Sequence, residues 1–214
     1  MELPPLLRNA VDRALSGMPL DQLTATAAVL SQRYREERHD GKAHVASDRE
    51  VLAYLAVRLP ATYAAVRASL AAVAEGRPDF APKTALDIGA GPGTALWAAA
   101  DCWPALADAL LVEASPVFRA FGEQLTAEMQ QPHTTWRTSD VVLDEINGEP
   151  RDLVTLAYVL NELAPEDRPR LVEGLWRLTT DTLVIVEPGT PAGWRRTPPT
   201  WCGRTSPRAG RRPR

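Results

Sequence analysis

The 214-residue chain contains no uninterrupted apolar run of ~18 to 20 residues, the length a helix needs to cross a bilayer, because charges or prolines break every stretch. A membrane-spanning helix is excluded on that ground. Cysteine is scarce as well: Cys102 and Cys202 form no Cys-x-x-Cys pair and are too few for a disulfide scaffold, so each reads as a buried or incidental thiol. The three histidines, His39, His44 and His133, lack metal-ligand spacing. The opening Met1-Glu2-Leu3-Pro4-Pro5 has no basic patch leading into an apolar segment, and Glu2 and Asp12 speak against a transit peptide, so a cytoplasmic protein is expected. Aromatic residues make up only 6% of the chain.

Against these absences stands an ordinary globular composition, 45% hydrophobic and 24% charged, in a chain long enough to bury a core and expected to be a monomer. The net charge of −3 is unevenly spread. Residues 195–214 hold seven arginines and no acid; taking those seven charges from −3 leaves −10 on residues 1–194. An acidic body with a basic end is not a conventional nucleic-acid groove.

From Leu3 to Gly76 the pattern is helical, punctuated by Gly17, Pro19, Gly41 and Pro60. Ser47-Asp48-Arg49-Glu50 is a capping box, which predicts a helix start, and Tyr63, Val66, Leu70 and Val73 share one helical face. After Arg77-Pro78-Asp79 the rhythm changes to short apolar runs alternating with helical stretches, the signature of βαβ units and a parallel sheet. Strands are expected at 84–88, 109–113, 134–138, 153–159 and 182–186, with helices at 94–101, 116–129 and 165–178. The division is a helical part at 1–79, a sheet part at 80–194, and an Arg- and Pro-rich tail at 195–214 that is expected to be disordered.

The run Leu86-Asp87-Ile88-Gly89-Ala90-Gly91-Pro92-Gly93-Thr94 follows a strand and opens a helix. Side chains at Gly89 or Gly91 would fill ligand space or forbid the positive φ that such turns need. Its Gly-x-Gly-x-Gly spacing differs from the Gly-x-Gly-x-x-Gly of dinucleotide binders, and no lysine precedes Thr94 as in a phosphate loop. Asp87 adds a negative charge that suits an ammonium and a sulfonium and ill suits a phosphate. The loop therefore favours S-adenosylmethionine, held by Asp87, Gly89, Ala90, Gly91 and Gly93, in an incomplete class I methyltransferase fold, Rossmann-like and mostly parallel; a tight turn without ligand is the alternative.

Glu113 ends the second strand, where an acid takes both ribose hydroxyls or is a solvated strand end. Asp140, after the third strand, reads either as an acceptor for the adenine amino group or as a turn residue. Asn161 and Glu162 after the fourth strand face substrate or cap the next helix. Glu187-Pro188-Gly189-Thr190-Pro191 ends the fifth strand and either lines the same crevice or, the leading reading, is a turn. Methyl transfer from an activated sulfonium requires alignment and shielding more than a base, so no catalytic residue is assigned.

The chain resembles the small-ribosomal-subunit methyltransferase-like family, bacterial relatives of a mitochondrial ribosome-assembly factor. The likeness is carried by Ser31-Gln32-Arg33-Tyr34-Arg35, by Tyr54 onward through Arg58-Leu59-Pro60-Ala61-Thr62-Tyr63, by Leu86 to Trp97, by Tyr158 to Leu163, and by Val184 to Trp194. It implies a helical N-terminal domain, an S-adenosylmethionine-binding domain, and association with the small ribosomal subunit or its rRNA during assembly. It also implies further strands and a cysteine-rich metal or iron–sulfur segment past Trp194. Residues 195–214 do not match these and have the composition of a frame-shifted reading frame, Cys202 alone cannot hold a cluster, and marginal stability follows as an expectation. The readings kept open are a methyltransferase, a non-catalytic assembly factor that binds the cofactor structurally, a small-molecule methyltransferase, and a nicotinamide oxidoreductase disfavoured by the glycine spacing.

Overall fold

The computed structural model describes residues 2–35, 47–140 and 147–196; residues 197–214, the greater part of the expected disordered tail, lie outside them. Four helices come first: α1 (Pro5–Leu15), α2 (Leu20–Arg35), α3 (Asp48–Val57) and α4 (Leu59–Gly76). Ser47 caps α3 as the capping pattern predicts. Its hydroxyl oxygen accepts from the Glu50 N–H at 3.4 Å and its O–H donates to the Glu50 carboxylate at 3.0 Å. Pro60 sits in the first turn of α4, where a missing N–H costs nothing. Tyr63, Val66 and Leu70 are buried along the expected face of α4.

The remainder alternates: β1 (Thr84–Ile88), α5 (Thr94–Cys102), β2 (Asp108–Glu113), α6 (Pro116–Thr126), β3 (His133–Thr138), β4 (Arg151–Ala157), α7 (Asp167–Arg177), β5 (Thr179–Val186) and α8 (Pro191–Arg196). All pairings are parallel and the sheet order is β3-β2-β1-β4-β5. The order runs outward in both directions from β1, so the chain changes direction between β1 and β4. Ligands of open α/β sheets sit in the crevice at that switch, beyond the carboxyl ends of the strands.

Strand periodicity divides the core between two faces. Ala85, Ala109, Leu111, Leu153 and Val184 point toward the helical residues Leu55, Leu59 and Leu70, in one core cluster that also takes in α5. Leu86, Ile88, Val112, Val154 and Leu156 point the other way, onto Leu171, Val172 and Leu175 of α7. The N-terminal helices and one face of the sheet thus share a continuous core. Edge-to-face ring contacts stitch the layers: Tyr54 of α3 meets Phe118 of α6 at 5.1 Å, and Phe80 meets Trp103 at 5.4 Å.

Several element boundaries differ from the expectation, α6 ending at Thr126 and β5 beginning at Thr179 among them, and three have a clear local reason. β4 stops at Ala157 because Tyr158 takes φ +61°, outside extended space. α7 begins at Asp167 rather than at Pro165, since the Asp167 N–H closes a turn onto the Ala164 carbonyl. Arg195 and Arg196 belong to α8, which starts after Thr190; the Thr190 hydroxyl accepts from the Gly193 N–H at 3.1 Å. No helix among the described residues is long and apolar enough to cross a membrane.

Candidate functional site

The glycine loop lies at the switch point. The N–H groups of Gly89 and Ala90 both donate to the Val112 carbonyl, at 2.9 and 3.1 Å, which pins the turn against β2. Gly89, Gly91 and Gly93 have φ of +64°, +54° and +81°, the left-handed region that side-chain-bearing residues resist. At Gly89 the tightness is steric as well, for an added Cβ would lie 2.3 Å from a Val159 methyl. At Gly91 nothing lies within 4 Å of that position. Gly89 is therefore small for packing, and Gly91 faces open space.

Asp87 and Glu113 flank this loop and both are buried. One Asp87 oxygen accepts from the Thr155 hydroxyl at 2.7 Å; the other is buried with no partner among the described residues. Burial, opposed by Thr155 and reinforced by the charge of Glu113, pushes the Asp87 carboxyl up to about 7. Glu113 uses one oxygen to accept from the Gly91 N–H at 2.7 Å and the other to accept from the Ser115 N–H at 2.8 Å. Its carboxyl is raised by burial, against the backbone N–H groups of Ser115, Gly91 and Ala114.

Ala90 is buried within the turn. Asp140 is half-buried two residues beyond β3, on the β2 side of the crevice, since Thr138 pairs with Glu113. The β4 side brings Asn161 and Glu162 to the same edge. Glu162 is open to solvent yet walled by protein; loss of surrounding water, then the charges of Glu113 and Glu187, raise its carboxyl. Four acids from β1, β2, the β4 exit and β5 thus share one edge, and of these Glu187 is neutralised by Arg196. Such a site favours a cationic ligand.

Sequence reasoning missed two contributions. It read Glu187 chiefly as part of a turn that could line the crevice and gave it no partner, whereas its carboxylate meets the Arg196 guanidinium at 2.8 Å with both side chains buried. No local pattern signals a pair set nine residues apart by a reversal. The second comes from the helical layer. Burial raises the hydroxyls of Tyr54 and Tyr158, and the Arg58 charge opposes that rise in both, so the α3–α4 corner approaches the β4 exit. Thr62 and Glu162 also act on Tyr54. The signal was present in the Arg58 to Tyr63 segment, which carried resemblance without a role.

The parallel five-stranded sheet and its glycine turn define a class I, Rossmann-like methyltransferase fold. The chain belongs to the family described as Mitochondrial small ribosomal subunit Rsm22, whose profile matches residues 48–199. It is 33% identical over 147 residues to the human protein named Ribosome assembly protein METTL17, mitochondrial, covering 66% of this chain and 32% of that protein. The chain thus spans about a third of that relative's length.

Solved structures agree on the fold. An O-methyltransferase family protein from Burkholderia thailandensis superposes with a TM-score of 0.54 at 19% identity, over 75% of this chain and 47% of that one. Human N-acetylserotonin methyltransferase in complex with SAM gives 0.53 at 17% identity, over 76% and 48%. Magnesium protoporphyrin IX methyltransferase from Synechocystis PCC 6803 with bound SAH gives 0.50 at 18%, over 75% and 68%. At these identities the likeness concerns the fold alone.

Proposed function

We propose that the chain is an S-adenosylmethionine-binding, methyltransferase-like protein that acts on the small ribosomal subunit or its rRNA during assembly. The observation that carries the cofactor is the buried, unpartnered oxygen of Asp87 beside the open approach at Gly91. An orphaned buried acceptor is costly unless a donor completes it, and a cationic donor completes a carboxylate best. Glu113 fits a hydroxyl-bearing ligand, because its two backbone hydrogen bonds hold the carboxylate still while leaving lone pairs free. Asp140 is proposed to complete the ligand set on the β2 side.

S-adenosylmethionine supplies a methyl group already activated on its sulfonium. The chain's own residues then have to bind, orient and exclude water. The loop from Gly89 to Gly93 brings backbone close to the ligand, and the acids at the strand ends complement its positive charge. In this reading residues 80–194 hold the cofactor, while the helical residues 1–79 wall one side of the crevice through Tyr54 and Arg58. The ribosomal partner is supported by the family description and by the name of the human relative.

Calorimetric titration with S-adenosylmethionine and with NAD tests the cofactor: binding of the first and not the second is expected, and the reverse would overturn the reading. Co-sedimentation with purified small subunits tests the partner. Transfer of labelled methyl groups to those subunits then separates an enzyme from a cofactor-binding assembly factor.

A further inference from the structure

We propose that Arg196 is a positioning residue of the crevice, whose buried ion pair with Glu187 holds the exit of β4, residues 158–162, in its cofactor-binding conformation. The inference rests on the cofactor reading above and assigns a role to the Glu187 to Arg196 segment, which that reading leaves unused.

The geometry is specific. The Arg196 Nε donates to the Glu187 carboxylate at 2.8 Å, with side chains 5% and 4% exposed. The chain reaches this pairing by reversing after β5. The Thr190 N–H donates to the Pro188 carbonyl at 2.7 Å, and Gly193 packs so close that an added Cβ would lie 1.8 Å from that same oxygen. Only glycine permits α8 to fold back this far.

Glu187 directly follows Val186, whose carbonyl accepts from the Tyr158 N–H at 2.8 Å. Tyr158 itself is a non-glycine residue at φ +61°, a conformation that persists only where surrounding contacts enforce it. The Leu160 backbone lies close enough to the Glu187 carboxylate to oppose the rise that burial gives it, and one Glu187 oxygen is buried without a hydrogen-bond partner among the described residues. The buried Glu187 carboxylate therefore ties α8 to the end of β5, directly beside the Val186–Tyr158 hydrogen bond that anchors the β4 exit carrying Asn161 and Glu162.

Stability alone is a poor account of this pair. Burying two charges costs desolvation that an apolar pair of similar volume avoids, so such pairs are weak sources of stability. What directional hydrogen bonds add is geometry. Arg196 also compensates the Glu187 charge, leaving Asp87, Glu113 and Glu162 to meet a cation.

The test uses the full chain and three proteins: wild type, the apolar double variant E187L/R196M, and R196K. Lysine keeps the charge but not the planar guanidinium fork. The double variant is expected to unfold at or above the wild-type temperature while binding S-adenosylmethionine roughly tenfold or more weakly, with R196K intermediate. Amide exchange of Tyr158, Leu160 and Glu162, read without cofactor, should quicken in both variants relative to amides of β1 and β2. Wild-type affinity in either folded variant, or unchanged exchange at those three amides, overturns the assignment. Should the double variant fail to fold, R196K decides by the same readouts. A wild-type chain that binds no S-adenosylmethionine would refute the proposed function instead, and the exchange data would still settle the role of Arg196.

Discussion

Asp87 and Thr155 are joined across β1 and β4 by a 2.7 Å hydrogen bond that occupies one carboxylate oxygen and leaves the other buried without a partner among the described residues. The carboxyl is raised to about 7 in consequence, chiefly by burial. In the folded chain it holds its proton over a range where the unfolded chain has released it. Its stabilising effect is therefore fully present below about pH 4 and is lost as pH rises toward 7. A gap of about 3 units corresponds to on the order of 4 kcal/mol. Asp87→Asn should remove this dependence, so urea unfolding at several pH values should show the wild type losing ground to D87N as pH climbs. A difference between the two that stays flat from about pH 4 to 7 contradicts the assignment.

The same proton has a second consequence. A cation seated beside Asp87 favours its charged form, so S-adenosylmethionine should bind more tightly as pH rises toward 7 and release a proton on binding. Calorimetry in buffers of different ionisation enthalpy measures that release directly. D87N should show less of it.

Gly89 and Gly91 should respond differently to alanine. Gly89→Ala forces a Cβ against Val159 as well as a strained φ, and should cost about 2 to 3 kcal/mol in denaturant unfolding. Gly91→Ala meets no atom and should cost only about 1 to 2 kcal/mol from backbone strain. Its loss of cofactor affinity should be the larger effect, because the added methyl enters the space facing the ligand. Equal losses of stability and affinity in the two variants would remove the distinction.

Glu113→Gln keeps the shape but removes the charge and one acceptor. It should weaken S-adenosylmethionine binding by roughly tenfold or more, the effect of about 1.5 to 3 kcal/mol for a hydrogen bond to a charged group. Thermal stability should fall as well, by about 1 to 3 kcal/mol, because the glutamine oxygen can keep only one of the Gly91 and Ser115 N–H groups and its NH2 then faces the other. An unchanged dissociation constant would take Glu113 out of the ligand set.

Leu70 is fully buried in α4, within the core cluster that includes Ala85, Ala109 and Leu153 of the sheet. Leu70→Ala should cost about 2 to 5 kcal/mol and lower one shared transition. Circular dichroism and amide exchange of β1 should report the same midpoint. Two separate transitions, with β1 unaffected, would mean that the helical layer and the sheet fold independently.

Much of the fold was legible because its signals are local. The capping box at Ser47 to Glu50, the helical face of Tyr63, Val66 and Leu70, and the glycine spacing after Ile88 each depend on neighbours within a few residues. The boundary at Ala157 was not legible, since nothing in Tyr158-Val159-Leu160 announces a positive φ at a tyrosine. Glu187 illustrates the same limit for the site. Its likeness to a turn is correct for Pro188 to Thr190, but its partner is set by how tightly Gly193 packs against Pro188.

By itself the sequence determined a βαβ alternation and an acidic residue before a glycine turn whose steric freedom admits a close backbone approach, because these follow from periodicity, steric freedom and charge along a short stretch. Only the tertiary structure decided which side chains meet. The parallel order β3-β2-β1-β4-β5 brings Asp87, Glu113, Glu162 and Glu187 to one edge although they span a hundred residues of sequence. The packing of α3 and α4 onto that sheet sets Tyr54 and Arg58 toward the same crevice. Burial then raises the carboxyl of Asp87, and burial depends on every layer around it rather than on the residues beside it.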